Sequence, residues 1–260
     1  MRVATGVIVG LFVVAAGPVD AETLDFALPW TNCGNQYRDF CISGKHEPNR
    51  PVILIGTPPR YLCHAKTHRA IRQVNEGAGK VFDVTLLDDS ANECRTRGEH
   101  YLAIVGREHI DFETVPITVV KEPATVSRID KAIRQNPEFA RIHESYKEAV
   151  SSFYSGPFWE PTLAEVMRLK LGDSEIFLAK YSPISSVSVS YYFSVLGTRI
   201  APIARIWIRK EHGLRAFSIN GRYFLMMSGL GNVSGYLLDV IYEITPSQLK
   251  KVYFNSDWAV

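Results

Sequence analysis

The stretch from Leu214 to Phe254 constrains the chain more than any other. Two apolar runs, Arg215-Ala216-Phe217-Ser218-Ile219 and Arg222-Tyr223-Phe224-Leu225-Met226-Met227, flank Asn220-Gly221. A two-residue Asn-Gly loop favours a type I′ turn, because that turn needs φ > 0 at both central positions. The expected register sets Ile219 opposite Arg222 and Phe217 opposite Phe224. After a Gly-rich turn over Ser228 to Gly235, the run Tyr236 to Ile244 places Tyr236, Leu238, Val240, Tyr242 and Ile244 on one apolar face. Thr245-Pro246-Ser247-Gln248 then turns the chain into Leu249 to Phe254. Antiparallel β-structure is the expectation for this end of the chain.

Upstream, Ser186 to Leu196 alternates strictly. Val187, Val189, Tyr191, Phe193 and Val195 are expected to face the core, with Ser186, Ser188, Ser190, Tyr192 and Ser194 outward. In the next run, Ile203 to Arg209, the expected outward residues are Arg205, Trp207 and Arg209. Glu175 to Tyr181 is a further strand, and Leu163 to Leu171 fits a short helix and a strand equally. About six strands at regular spacing predict a meander, barrel or sandwich.

The first half reads differently. Pro51 to Gly56, Lys80 to Leu87, Tyr101 to Gly106 and Ile117 to Val120 read as strands. Ala65 to Glu76 is expected to be a helix stopped by Gly77 and Gly79. From Pro123 to Phe153 the period becomes helical, with Val126, Ile129 and Ile133 on one side and Ser127 and Asp130 placed like a capping pair. Pro137 must break or kink this segment. The fold class expected is α+β: a signal peptide over 1–21, a small Cys-containing α/β domain over 22–122, a helical connector over 123–156, and an antiparallel β-domain over 157–260.

The signal peptide rests on Arg2, the apolar run Val7 to Ala16, the break at Gly17-Pro18 and a processing site at Val19-Asp20-Ala21. The run is shorter than the roughly 20 residues of a membrane span. A periplasmic or extracellular location is therefore expected, without stable membrane insertion after cleavage. In an oxidising compartment the four cysteines, Cys33, Cys41, Cys63 and Cys94, suggest two disulfides. Sequence leaves three pairings open, and proximity along the chain favours Cys33–Cys41 and Cys63–Cys94. The rival is a metal site from Cys63, His64, His68 and Cys94, which no Cys-x-x-Cys spacing supports.

Charge excludes one class of partner. A net charge of +2, from 29 basic and 27 acidic residues, supplies no field for steering onto nucleic acid. Motifs for chemistry are also missing. Gly231-Asn232-Val233-Ser234-Gly235 has the wrong spacing for a nucleophile elbow at Ser234. No His-Glu-x-x-His occurs, and Gly229-Leu230-Gly231 lacks the Lys and helix of a phosphate loop. No cofactor is expected. Glu108 to Glu113, read as a strand, would set His109, Asp111 and Glu113 on one face.

The stretch with binding character is the outward face of the C-terminal strands: Tyr192 with Arg205, Trp207 and Arg209, a polar aromatic surface suited to a glycan or an acidic protein partner. The reading from sequence is thus an exported non-catalytic binding or interaction protein. The alternative is an exported hydrolase with a site between the two domains, using His109, Asp111 or His64.

Overall fold

Alternating apolar residues are frequent in this chain, and most of the described residues form strands. The computed structural model describes residues 24–29, 39–42, 49–56, 62–73, 80–86, 100–151, 154–185, 190–208, 213–230 and 236–258. Six N-terminal strands come first: β1 Asp25–Pro29, β2 Asp39–Ile42, β3 Pro51–Gly56, β4 Leu62–Gln73, β5 Lys80–Leu86 and β6 His100–Val105. They close into an antiparallel barrel in the order β1-β2-β5-β4-β3-β6, sealed by β1 against β6. Val52 to Ile55 and Leu102 to Val105 are each at most 2% exposed, as a continuous apolar run requires.

The expected helix over Ala65 to Glu76 is not found. Residues 62–73 form one long strand, paired with β3 on one side and β5 on the other. Two β-bulges interrupt the β4–β5 register between Thr67 and Arg72, and they blur the period-2 pattern that would have marked a strand. No helix occurs among the described residues before Pro123.

Beyond the barrel the chain builds two sheets. Strands β7 (Phe112–Val115) and β8 (Ile117–Val119) follow one another, separated by Pro116 alone. Helices α1 (Pro123–Arg134) and α2 (Pro137–Ser151) follow. Then come β9 (Leu163–Leu171), β10 (Ser174–Tyr181), β11 (Ser190–Leu196), β12 (Arg199–Ile208), β13 (Leu214–Ile219), β14 (Arg222–Leu230), β15 (Tyr236–Ile244) and β16 (Leu249–Trp258). The undecided run Leu163 to Leu171 is therefore a strand.

One sheet runs β8-β9-β10-β11-β12; the other runs β7-β13-β14-β15-β16. Two segments belong to both. β12 pairs with the far end of β14 through Trp207–Leu230 and Ile208–Gly229, and β13 continues along the same edge from Leu214–Met227. β7 pairs with β13 while β8 pairs with β9. The strands thus pass from one sheet into the other at two corners, as in a flattened barrel.

The predicted hairpin is present. Asn220 and Gly221 have φ of 50° and 74°, and Ile219–Arg222 and Phe217–Phe224 are partners. Val240, Tyr242 and Ile244 share a face as expected and join the core between the sheets.

Among the described residues, three packed cores stack the layers. Between the sheets lie Met167, Leu169, Ile176, Leu178 and Tyr192 from one and Ala216, Leu225, Met227 and Val240 from the other. The outer face of the first sheet, through Tyr181, Tyr191, Phe193 and Val195, packs on Ile129 and Ile133 of α1. The outer face of the second sheet is covered by the barrel: Phe26, Ile55, Leu102 and Ile104 meet Phe112, Phe217, Phe224, Met226, Ile241 and Tyr253. Both sheets are therefore buried on both faces.

Candidate functional site

The cleft that stands out lies where α2 crosses the edge of β11 and β12. Asn136 starts that helix: its side-chain oxygen accepts a hydrogen bond from the Glu138 amide at 2.9 Å. Pro137 occupies the first helical position, where its missing N–H costs nothing. The expected break at this proline is thus the junction between two helices. The capping pair expected at Ser127 and Asp130 does not form; α1 begins at Pro123, with Glu122 at its N-cap. Asp130 instead accepts hydrogen bonds from the Tyr181 hydroxyl at 2.8 Å and from Arg134 Nε at 2.9 Å. Burial first, then the hydrogen bond and charge of Asp130, push the Tyr181 hydroxyl well above its ordinary pKa.

Arg134 then sets the second helix. Its guanidinium donates to the Pro161 carbonyl at 3.0 Å and stands 5.5 Å from the Phe139 ring and 5.6 Å from the Tyr181 ring. Phe139 packs on Tyr181 and Phe193 with centroids 4.9 and 5.5 Å away. With its N-terminal turn fixed on the sheet by Phe139, α2 presents Arg141, Ile142 and Ser145 toward the strands.

Across from the helix, the sheet is irregular. The register shifts between Tyr192 and Phe193, whose partners are Ala204 and Pro202, so Ile203 is the extra residue. The Tyr242 hydroxyl donates to the Ile203 carbonyl at 2.7 Å and holds the bulge, and burial pushes that hydroxyl up to about 12. The resulting cleft has a volume of about 430 Å³ and is lined by Arg141, Ile142, Ser145, Tyr191, Tyr192, Phe193, Pro202 and Ile203. Its walls combine aromatic and aliphatic residues with a nearly equal share of polar surface. Its polar side chains include the exposed Arg141, paired with the Glu138 carboxylate, and the exposed Ser145, besides the two tyrosines. An apolar body carrying an anionic or hydrogen-bonding group matches this lining.

Tyr192 is the predicted binding residue that reaches this cleft, but it is no outward surface residue. It is 2% exposed, and Ser190 and Ser194 beside it are buried too, because the second sheet covers the face that was expected to meet solvent. Burial, followed by the negative charge of Glu165, raises the Tyr192 hydroxyl above its ordinary pKa. The register also separates the expected row: Tyr192 is opposite Ala204, whereas Arg205 is opposite Tyr191. Trp207 sits in β12 opposite Leu230, and Arg209 lies outside the described residues.

Of the cysteines, Cys41 is in β2 opposite Leu28 and Val81, and Cys63 is in β4 opposite Leu54. Cys33 and Cys94, one partner of each favoured pair, lie outside the described residues, as does Ser234. The expected strand over Glu108 to Glu113 is confined to its end, since β7 starts at Phe112. His109, Asp111 and Glu113 are exposed, and Asp111 is engaged through its backbone with Asn220. His109 instead approaches His64 of β4, with ring centroids 6.2 Å apart. No group of three or more His, Cys, Asp or Glu converges among the described residues, and no helix there is long and apolar enough to cross a membrane.

Sequence reasoning missed Arg141, Ser145 and Pro202. Pro202 inside a strand was a usable signal, because proline in a sheet is confined to edges and bulges. Compared with family models, with curated proteins and with solved structures, the chain matches none of them.

Proposed function

We propose that this chain is an exported, non-catalytic binding protein whose ligand enters the cleft between α2 and the bulged strands β11 and β12. The observation that carries this reading is the cleft itself: about 430 Å³, walled by Ile142, Tyr191, Phe193 and Ile203, with Arg141 at hand for an anionic group. Such a site takes an apolar or aromatic group bearing a carboxylate or sulfonate, on a small molecule or at the end of a protein or glycan partner. No cofactor enters this reading.

The test uses 8-anilino-1-naphthalenesulfonate, an aromatic anion, titrated into the folded full chain by fluorescence. One saturable site is expected. Ser145→Trp, an exposed position on the cleft wall, should abolish it with the melting temperature held, and Arg141→Ala should weaken it about tenfold, the loss of one charge-assisted contact. Saturable binding unchanged in Ser145→Trp, or no saturable binding at all, would overturn the reading.

A second reading, an exported hydrolase, is favoured by one observation, the approach of His64 to His109 across the junction of barrel and sheet. Hydrolysis of chromogenic esters lost in both His64→Ala and His109→Ala would support it.

A further inference from the structure

Among the residues that line the cleft, Arg141 alone carries a charge. It does not stand alone on its helix. Its Nη2 donates to Glu138 Oε2 at 2.5 Å, from three residues further along the same face of α2. Glu138 is well anchored. Its amide is bonded to Asn136 Oδ1 at 2.9 Å, and it lies in the first turn, where a helix favours a carboxylate. Arg141 is 72% exposed and Glu138 39%, so the pair stands at the mouth of the cleft. The mouth thus presents a cation and an anion side by side, next to the apolar walls of Ile142, Phe193 and Ile203.

This pairing bears on which charged ligand the cleft takes. A guanidinium offers five N–H donors in a planar fork, and Glu138 engages Nη2. A ligand carboxylate that joins the remaining donors comes within a few ångströms of the Glu138 carboxylate, and two like charges then share one cation. A ligand that breaks the pair instead leaves Glu138 without its partner. An ammonium on the carbon next to the ligand's carboxylate removes both costs: the carboxylate meets Arg141 while the ammonium meets Glu138. Each such exposed charge contact is worth roughly fivefold in affinity.

We infer that the cleft selects zwitterions, and that its ligands are free α-amino acids with an aromatic or aliphatic side chain. The inference rests on the reading of the cleft as a binding site and narrows its ligand class. The side chain of the amino acid enters between α2 and the bulged strands. Its carboxylate takes Arg141, with Ser145 one turn further along the helix as a second donor, and its ammonium takes Glu138. Glu138 is then the specificity-determining residue, because it disfavours an apolar acid that lacks the amine.

The experiment is a calorimetric titration of the full chain with L-phenylalanine, with 3-phenylpropionate, which lacks the amine, and with phenethylamine, which lacks the carboxylate. Phenylalanine is expected to bind about fivefold tighter than either. Glu138→Gln should leave the melting temperature in place, weaken phenylalanine and strengthen 3-phenylpropionate, so that the preference between them is lost. Equal affinities for phenylalanine and 3-phenylpropionate in the unaltered chain would overturn the inference, as would a preference that survives in Glu138→Gln. In both cases saturable binding of the naphthalenesulfonate leaves the cleft reading standing. If neither the naphthalenesulfonate nor any of the three ligands saturates, the cleft reading falls and the inference with it. Should Glu138→Gln fold poorly, the three affinities of the unaltered chain still decide the matter.

Discussion

Asn220 and Asp111 hold each other by two hydrogen bonds across 109 residues of sequence. The Asp111 amide donates to Asn220 Oδ1 at 2.8 Å, and the Asn220 amide donates to the Asp111 carbonyl at 2.8 Å. The hairpin tip is thereby fastened to the segment that leads out of the barrel. Asn220 has two tasks, a positive φ of 50° and a side-chain acceptor, and no other common residue performs both as well.

The two tasks separate by substitution. Asn220→Gly keeps the backbone conformation and loses the acceptor; it should cost about 1 kcal/mol. Asn220→Ala loses both and should cost about 2 kcal/mol, adding the strain of a left-handed alanine. Urea denaturation of the two variants checks the order, and equal losses would mean that the left-handed backbone conformation contributes nothing.

Asp130 should be the costliest polar residue on the helical side. Its carboxylate serves the hydroxyl of the fully buried Tyr181 and also Arg134 Nε. Asp130→Ala leaves a buried hydroxyl without its acceptor, a loss of about 2–4 kcal/mol. In a double-mutant cycle, Tyr181→Phe should recover part of that loss, since the orphaned hydroxyl is gone. Strict additivity would show that the two groups do not interact in solution.

Asp239 should make stability depend on pH with an unusual sign. It lies opposite Ser228 in the β14–β15 pair and accepts that hydroxyl's hydrogen bond. Burial raises its carboxyl from 3.8 to about 6, against the opposing effect of the Ser228 hydrogen bond. The folded state therefore holds its proton more tightly than the unfolded chain. The associated stability is fully present below pH 3.8 and is lost as pH rises through about 6. Asp239→Asn should stabilise the protein by about 1–3 kcal/mol at pH 7 and by little at pH 4. Melting curves at the two pH values test this, and an equal effect at both would exclude titration of Asp239 as the cause.

Where the apolar period is uninterrupted, sequence and structure agree. The Asn220-Gly221 register, the buried run Val52 to Ile55, and the helices on either side of Pro137 all follow from local rules. Disagreement arises from two causes. Bulges in β4 removed the alternation on which a strand assignment depends. The faces of a strand also carry no label for what covers them: serine alternating with valine implied solvent at Ser190, Tyr192 and Ser194, whereas a second sheet packs there. The cleft was hidden for the same reason, since its walls come from a helix and a strand pair about 60 residues apart whose meeting depends on Arg134, Phe139 and Tyr181. The His64–His109 approach likewise needs the barrel to close on the β7 segment.

The two segments that pair into both sheets, β7 with β8 and β12, bear on how the protein comes apart. A strand cannot be released from one sheet without pulling its continuation in the other. Subglobal opening of either sheet alone is therefore suppressed, and amide protons in β10 and β14 should exchange with the same free energy, that of complete unfolding. Such cooperativity leaves few partly open forms for a protease to cleave between the sheets.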